Sequence, residues 1–164
     1  MSVVRNLITG IHGFAPSHLC DLLLARGEAV FGIAKAPRND KNIRHLARRL
    51  QIFYCDIRAP AQIREILEKV RPRRIYHMAS ISFVPAVTHD WKMAFETNLF
   101  GTLHLLETVK QMGLETRILY VGSSEEYGVV GDGENPVQET SPLKPVSLYG
   151  VTKTAADVLA NAFC

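Results

Sequence analysis

The feature that most constrains this chain is the alternation of short apolar runs with stretches of helical periodicity. Five runs read as strands: 3–8, 29–34, 51–55, 74–78 and 118–122. Helical patterns lie between them, at 17–26 before Gly27, at 60–70 before Pro72, and from about 90 to 112. A short basic helix is expected around 40–49, and a last helix from Ser147 onward. Strands of about five residues, each followed by a helix, pair in parallel through right-handed crossovers. The expected fold is α/β, a doubly wound parallel sheet with helices on both faces. It forms one domain over residues 1–164.

Composition agrees and removes several alternatives. With 47% hydrophobic and 21% charged residues, the chain can bury a core and is not a disordered polymer. Cys20, Cys55 and Cys164 are widely spaced without a CxxC pair, which indicates neither a disulfide framework nor a zinc site. The opening apolar run is broken by Arg5 and Asn6, unlike a signal peptide, and no apolar stretch approaches the ~20 residues that span a bilayer. A cytoplasmic protein with no membrane partner is expected. Between Lys35 and Arg74 lie 12 of the 19 Lys/Arg against 4 acids. That excess suits a nucleic-acid patch or a solvated helix face. Its interleaving with Ile63, Ile66, Leu67 and Val70 favours the face, so no nucleic-acid partner is expected. Residues 128–147 read as an ordered surface loop.

Chemistry enters at the first strand–helix turn, Thr9-Gly10-Ile11-His12-Gly13-Phe14-Ala15-Pro16. Glycines there let the backbone turn tightly against a pyrophosphate, whose charge the helix N-terminus stabilises. This is the context that gives a Rossmann-type glycine turn its meaning. Pro16 stands where a third glycine is expected. It is either a tolerated first-turn proline or a residue that loosens helix–strand packing. The second strand ends at Ala34, where a carboxylate would bind an adenosine ribose. With the acid missing and Lys35 and Arg38 nearby, NADP(H) is favoured over NAD(H).

Tyr149 and Lys153 are four residues apart and share a helical face. The ammonium would lower the phenol's pKa from its usual ~10 and suit it to proton transfer. Upstream, Gly122-Ser123-Ser124-Glu125-Glu126-Tyr127-Gly128 places hydroxyls and carboxylates at the C-terminal edge of a strand, where open α/β sheets bind ligands. His12 and His18 fit no metal-ligand spacing, His77 and His104 read as core or boundary histidines, and no metal site is expected.

Taken together, TGxxGF, Asp56-Ile57, His77-Met78-Ala79-Ser80, Asn98, Ser123 and YxxxK resemble the extended short-chain dehydrogenases/reductases, along the whole chain and in order. Within that class, RILYVGSSEEYG and NPVQETSPLKPVSLYGVTK are most similar to GDP-4-dehydro-6-deoxy-D-mannose reductases, with GDP-mannose 4,6-dehydratases as near relatives. The resemblance implies that Gly10, Gly13 and Phe14 border the pyrophosphate, Asp56 and Ile57 the adenine, and Ala79 the inner cofactor face. It implies that Ser123 bonds the substrate carbonyl, Tyr149 exchanges its proton, and Lys153 holds the nicotinamide ribose, with Asn98 in support. Glu125 stands where dehydratases keep an acid, and Ser80, Ser82 and Ser124 are placed to reach the sugar.

The implied substrate is a nucleotide sugar, a GDP-sugar first. A homodimer is implied through the long helix and the last one, whose Leu99, Leu103, Leu106, Val158, Leu159 and Phe163 would equally suit a core. Three readings stay open: a 4-keto reductase, a 4,6-dehydratase or epimerase, and a catalytically incomplete dinucleotide-binding domain. Because the chain reaches Lys153 and stops in the same helix at Cys164, the sugar-binding region is expected to lie outside these residues.

Overall fold

The structure, a computed structural model, describes residues 3–36, 40–82, 87 and 89–163. Its contacts divide into two units, Met1–Ala79 with His104–Val121 and Ser80–Leu103 with Gly122–Cys164.

The first unit is the sheet and its covering helices. Strands β1 (Arg5–Thr9), β2 (Ala29–Ala34), β3 (Gln51–Tyr54), β4 (Arg74–His77) and β5 (Arg117–Tyr120) pair in parallel in the order β3-β2-β1-β4-β5. Leu7, Ile8, Ile33 and Ile75 are fully or almost fully buried because both sheet faces are covered, which is why the strands read as continuous apolar runs. On one face α2 (Pro60–Val70) and α4 (Gly101–Gln111) contribute Ile63, Ile66, Leu67, Val70, Leu105 and Val109. On the other, α1 (Phe14–Ala25) contributes Cys20, Leu23 and Leu24. The fold class is the expected one.

Several boundaries differ from expectation. Helix α1 begins three residues before Ser17, with Pro16 inside its first turn. The helix expected at 40–49 is only a 3₁₀ turn at Arg44–Leu46. Ile43 and Leu46 are its two buried apolar residues, and their spacing of three anchors a single tight turn. The basic stretch is spent on individual pairs: Arg44 with Asp40, Arg58 and Lys35 with Asp56, Arg74 with Glu28, and Arg73 with Glu115. Arg49 bonds the Leu24 carbonyl.

In the second unit, α3 (Trp91–Phe95) is capped by Asp90, whose Oδ1 accepts from the Met93 N–H at 3.0 Å. The expected uninterrupted helix is broken here by a wider π turn at Glu96–Phe100, after which α4 resumes the α pitch. The wider turn brings Asn98 inward, and the Thr102 hydroxyl bonds the Asn98 carbonyl at 2.6 Å. Helix α5 (Leu148–Ala162) is capped by Ser147, whose Oγ accepts from the Gly150 N–H at 3.0 Å. Of the two-way apolar positions, Leu106 is buried whereas Val158 is 57% exposed. Among the described residues no helix is long and apolar enough to cross a membrane.

Candidate active site

In the first unit, β1 and β4 are neighbours from which the sheet order runs in opposite directions, the switch point at which such sheets bind ligands. Gly10 leaves β1 with φ +72°, and a Cβ there would lie 2.9 Å from the Ala79 Cα. Thr9 holds this approach together, its Oγ1 accepting from the N–H groups of Met78 (3.1 Å) and Ala79 (3.0 Å). With both acceptor positions used, the hydroxyl donates to His77 Nδ1 at 2.8 Å, which fixes the proton of neutral His77 on Nε2. His77 is the satisfied core histidine expected from the sequence.

Helix α1 has Gly13 as its N-cap with no side-chain cap. The Phe14 and Ala15 N–H groups have no intrahelical acceptor, and Pro16 occupies the third position, where a proline forfeits no helical bond. Pro16 is therefore a buried first-turn proline that leaves the turn intact. The Phe14 ring is 74% exposed and meets His18 edge-on.

At the expected adenine end the charged side chains pair with one another. Asp56 accepts from Arg58 Nε (3.0 Å), Arg58 Nη2 (2.8 Å) and the Arg58 N–H (3.0 Å), and Lys35 Nζ lies 3.2 Å away. The Arg58 bonds, with help from Lys35, hold its carboxyl well below the usual carboxylate range. Lys35 is thus half of an ion pair rather than an uncommitted cation. The Ile57 side chain belongs to the core cluster, which leaves only its backbone to face a ligand. Arg38 lies outside the described residues.

The second unit gathers the acid–base residues. Ser123 caps a 3₁₀ turn (Ser124–Glu126), its Oγ accepting from the Glu125 N–H at 3.3 Å and keeping its own proton to donate. The turn is docked on the start of α5: Ser147 Oγ donates to Glu125 Oε2 at 2.7 Å, and a Gly150 Cβ would come within 2.5 Å of the Glu125 carbonyl. Half-buried Tyr149 stands on the first turn of α5, and its hydroxyl has no partner among the described residues. One turn on, Lys153 is 4% exposed. Burial pushes its ammonium down to about 8, against the pull of the Glu126 and Asp157 carboxylates. Ser80 is half-buried, whereas Ser82 and Ser124 are exposed. Among the described residues no cluster of His, Cys, Asp or Glu is built to hold a metal ion.

A family model for GDP-mannose 4,6-dehydratase matches residues 7–164. The chain belongs to the GDP-mannose 4,6-dehydratase family. Among members, a GDP-mannose 4,6-dehydratase of Vibrio cholerae is 32% identical over 163 residues, covering 93% of this chain and 43% of its own. The Homo sapiens GDP-mannose 4,6 dehydratase is 32% identical, covering 95% and 45%. Of solved structures, a UDP-glucose 4-epimerase of Thermus thermophilus in complex with NAD superposes with a TM-score of 0.87 at 31% identity, covering 98% of this chain and 50% of that one. The chain thus spans under half the length of the curated relatives it matches.

Two residues of this GDP-mannose 4,6-dehydratase family member escape a sequence reading. Thr152 donates to the Tyr149 carbonyl at 2.8 Å and accepts from Asn98 Nδ2 at 3.0 Å, so Asn98 reaches the Tyr149 backbone through it. Asn98 also accepts from the Ile81 N–H (2.8 Å) and donates to the Ile81 carbonyl (3.1 Å). Asn98→Ala is therefore expected to cost about 3 kcal/mol, because it strands several polar groups at once. Urea unfolding checks this, and a loss below about 1 kcal/mol would show those bonds to be dispensable. The second residue is Glu126, 4% exposed and bonded through Oε1 to the Ser123 N–H at 2.6 Å. Burial pushes its carboxyl above the usual range, opposed by that N–H and by Lys153. The run Ser124-Glu125-Glu126 reads as surface sequence and carries no signal that one of its acids is buried.

Proposed function

We propose that this chain supplies the dinucleotide-binding and proton-transfer parts of an oxidoreductase acting on nucleotide-linked sugars, GDP-sugars first. The reaction favoured is reduction of the 4-keto group of a 4-keto-6-deoxy sugar. The carrying observation is the second unit's turn–helix pair, in which the Ser123 proton and the Tyr149 hydroxyl are both uncommitted while Lys153 is buried one turn along. The residues also fit a nicotinamide dinucleotide. The Gly10–Ala79 approach leaves no room for a side chain, and α1 offers uncapped N–H groups for a pyrophosphate.

When bound, the reduced dinucleotide supplies a hydride to C4 of the sugar. Ser123 donates its hydroxyl proton in a hydrogen bond to the C4 carbonyl oxygen and orients it. Tyr149 gives up its phenolic proton to that oxygen as the alcohol forms. The Lys153 ammonium, held in a low-dielectric setting, stabilises the phenolate that remains. NADP(H) is favoured because β2 ends in Ala34 without a carboxylate, although Lys35 must leave Asp56 to serve a 2′-phosphate. The exposed Leu148, Val151 and Val158 of α5 are consistent with a homodimer through that helix.

The dehydratase reading stands second, supported by the family match and by Glu125 beside the Tyr149 helix. Its carboxylate is engaged by Ser147, which disfavours it as a free base. Incubation with NADPH and either GDP-mannose or its 4-keto-6-deoxy derivative separates the two. NADPH oxidation only with the keto sugar supports the reductase. Turnover of GDP-mannose without net NADPH loss overturns it, and no NADPH binding by fluorescence titration overturns both.

A further inference from the structure

We propose that Arg58 is a positioning residue for dinucleotide selectivity: because it satisfies Asp56 by itself, Lys35 is a spare cation that can turn from Asp56 to a 2′-phosphate. This deepens the reading under Proposed function and rests on it.

The geometry lies wholly within the first unit. Strands β2 and β3 are paired at their ends, Ala34 opposite Tyr54, and the Cys55 N–H bonds the Ala34 carbonyl at 2.8 Å. Lys35 and Asp56 therefore leave adjacent strands side by side. After Asp56 the chain turns at once, with the Ala59 N–H bonded to the Asp56 carbonyl at 2.9 Å, and α2 begins at Pro60. Arg58 lies in that turn and folds back on the carboxylate two residues before it. Its Nε and its own backbone N–H both donate to Oδ1 at 3.0 Å, and its Nη2 donates to Oδ2 at 2.8 Å. A planar guanidinium makes this two-point contact, and an ammonium cannot. Lys35 Nζ adds one longer contact, 3.2 Å to the Oδ2 that Nη2 already holds.

The two cations are thus unequal. The Arg58 contact is local and spans both carboxylate oxygens. The Lys35 contact is single and reaches across from another strand, and its side chain is 55% exposed against 32% for Arg58. An exposed, single-point ion pair contributes little. Lys35 can therefore leave while both Asp56 oxygens keep a donor and the carboxylate keeps an opposite charge. Without Arg58, Lys35 would be the one cation on Asp56 among the described residues. Turning it toward a phosphate would then strand a carboxylate that is only 25% exposed, which opposes the exchange.

The test compares NADPH and NADH dissociation constants by fluorescence titration of the full chain, since the two ligands differ only in the 2′-phosphate. Their ratio cancels any loss common to both. Wild type should favour NADPH by at least about tenfold, and Lys35→Met should bring the two constants within about twofold of each other. Arg58→Met should remove most of the preference. Combining Arg58→Met with Asp56→Asn should return it to within about threefold of wild type, because Lys35 then has no competing carboxylate. A preference that the second substitution does not return would make Arg58 itself the phosphate ligand and overturn the proposal. An unchanged preference in Lys35→Met, where only an exposed side chain is altered, overturns it equally. Binding of both dinucleotides by the wild-type chain without preference sinks the proposal alone, whereas binding of neither sinks the functional reading and the proposal with it.

Discussion

Tyr149→Phe is expected to lower keto-sugar turnover about 10³-fold, within the range that a positioned proton donor contributes. The substitution removes one hydroxyl that makes no hydrogen bond among the described residues, so no buried partner is stranded. Helix α5 keeps its Ser147 cap and its Thr152 bond to the residue 149 carbonyl, both of which depend on backbone alone at that position. The thermal midpoint should therefore move by less than about 2 °C, and NADPH affinity should stay within about threefold of wild type. Single-turnover oxidation of NADPH reads the first quantity, and fluorescence titration the last. A rate loss under about tenfold would remove Tyr149 from the chemical step.

Gly10→Ala should be the most damaging single methyl in the first unit. The residue sits at φ +72°, where an L side chain is strained, and its Cβ would meet Ala79 backbone atoms at 2.9 and 3.0 Å rather than a yielding side chain. Strain and displacement together should cost about 3 kcal/mol, which lowers the thermal midpoint by roughly 6–12 °C for a chain of this size. Gly27 provides the control. It has φ +73° with nothing within 4 Å of where a methyl would stand, so Gly27→Ala carries the strain alone and should cost about 1 kcal/mol. The difference between the two isolates the contact with Ala79. NADPH affinity should fall at least about tenfold in Gly10→Ala and stay unchanged in Gly27→Ala. Equal midpoints for the two variants would show that the β1–β4 approach yields easily.

What could be read in advance follows from how each feature is encoded. The strands were legible because burial on both faces writes continuous apolar runs, as in Leu7-Ile8 and Ile33. The Gly10 turn was legible because its requirement is local. The π turn was not: residues 90–112 keep an acceptable helical pattern, and one extra residue per turn leaves no compositional mark. Nor was the burial of Glu126, since a buried acid and a surface acid are the same letter, and only the capping geometry of Ser123 separates Glu126 from Glu125. Lys35 was legible as a cation but not as the partner of Asp56, a contact across 21 residues of chain.

Neither unit is a continuous stretch of chain, because the first is interrupted between Ala79 and His104. During translation at about 5–20 residues per second, β5 leaves the ribosome roughly 2–9 s after β4. Over that interval β4 is the sheet's last strand, with the edge later taken by β5 unpaired and open to wrong partners. The segment carrying the π turn and Asn98 is synthesised within the same interval, well before α5 brings Thr152 to it. Pairing of β5 and assembly of the acid–base cluster are thus separate events in the birth of the protein, and of the two the cluster forms later.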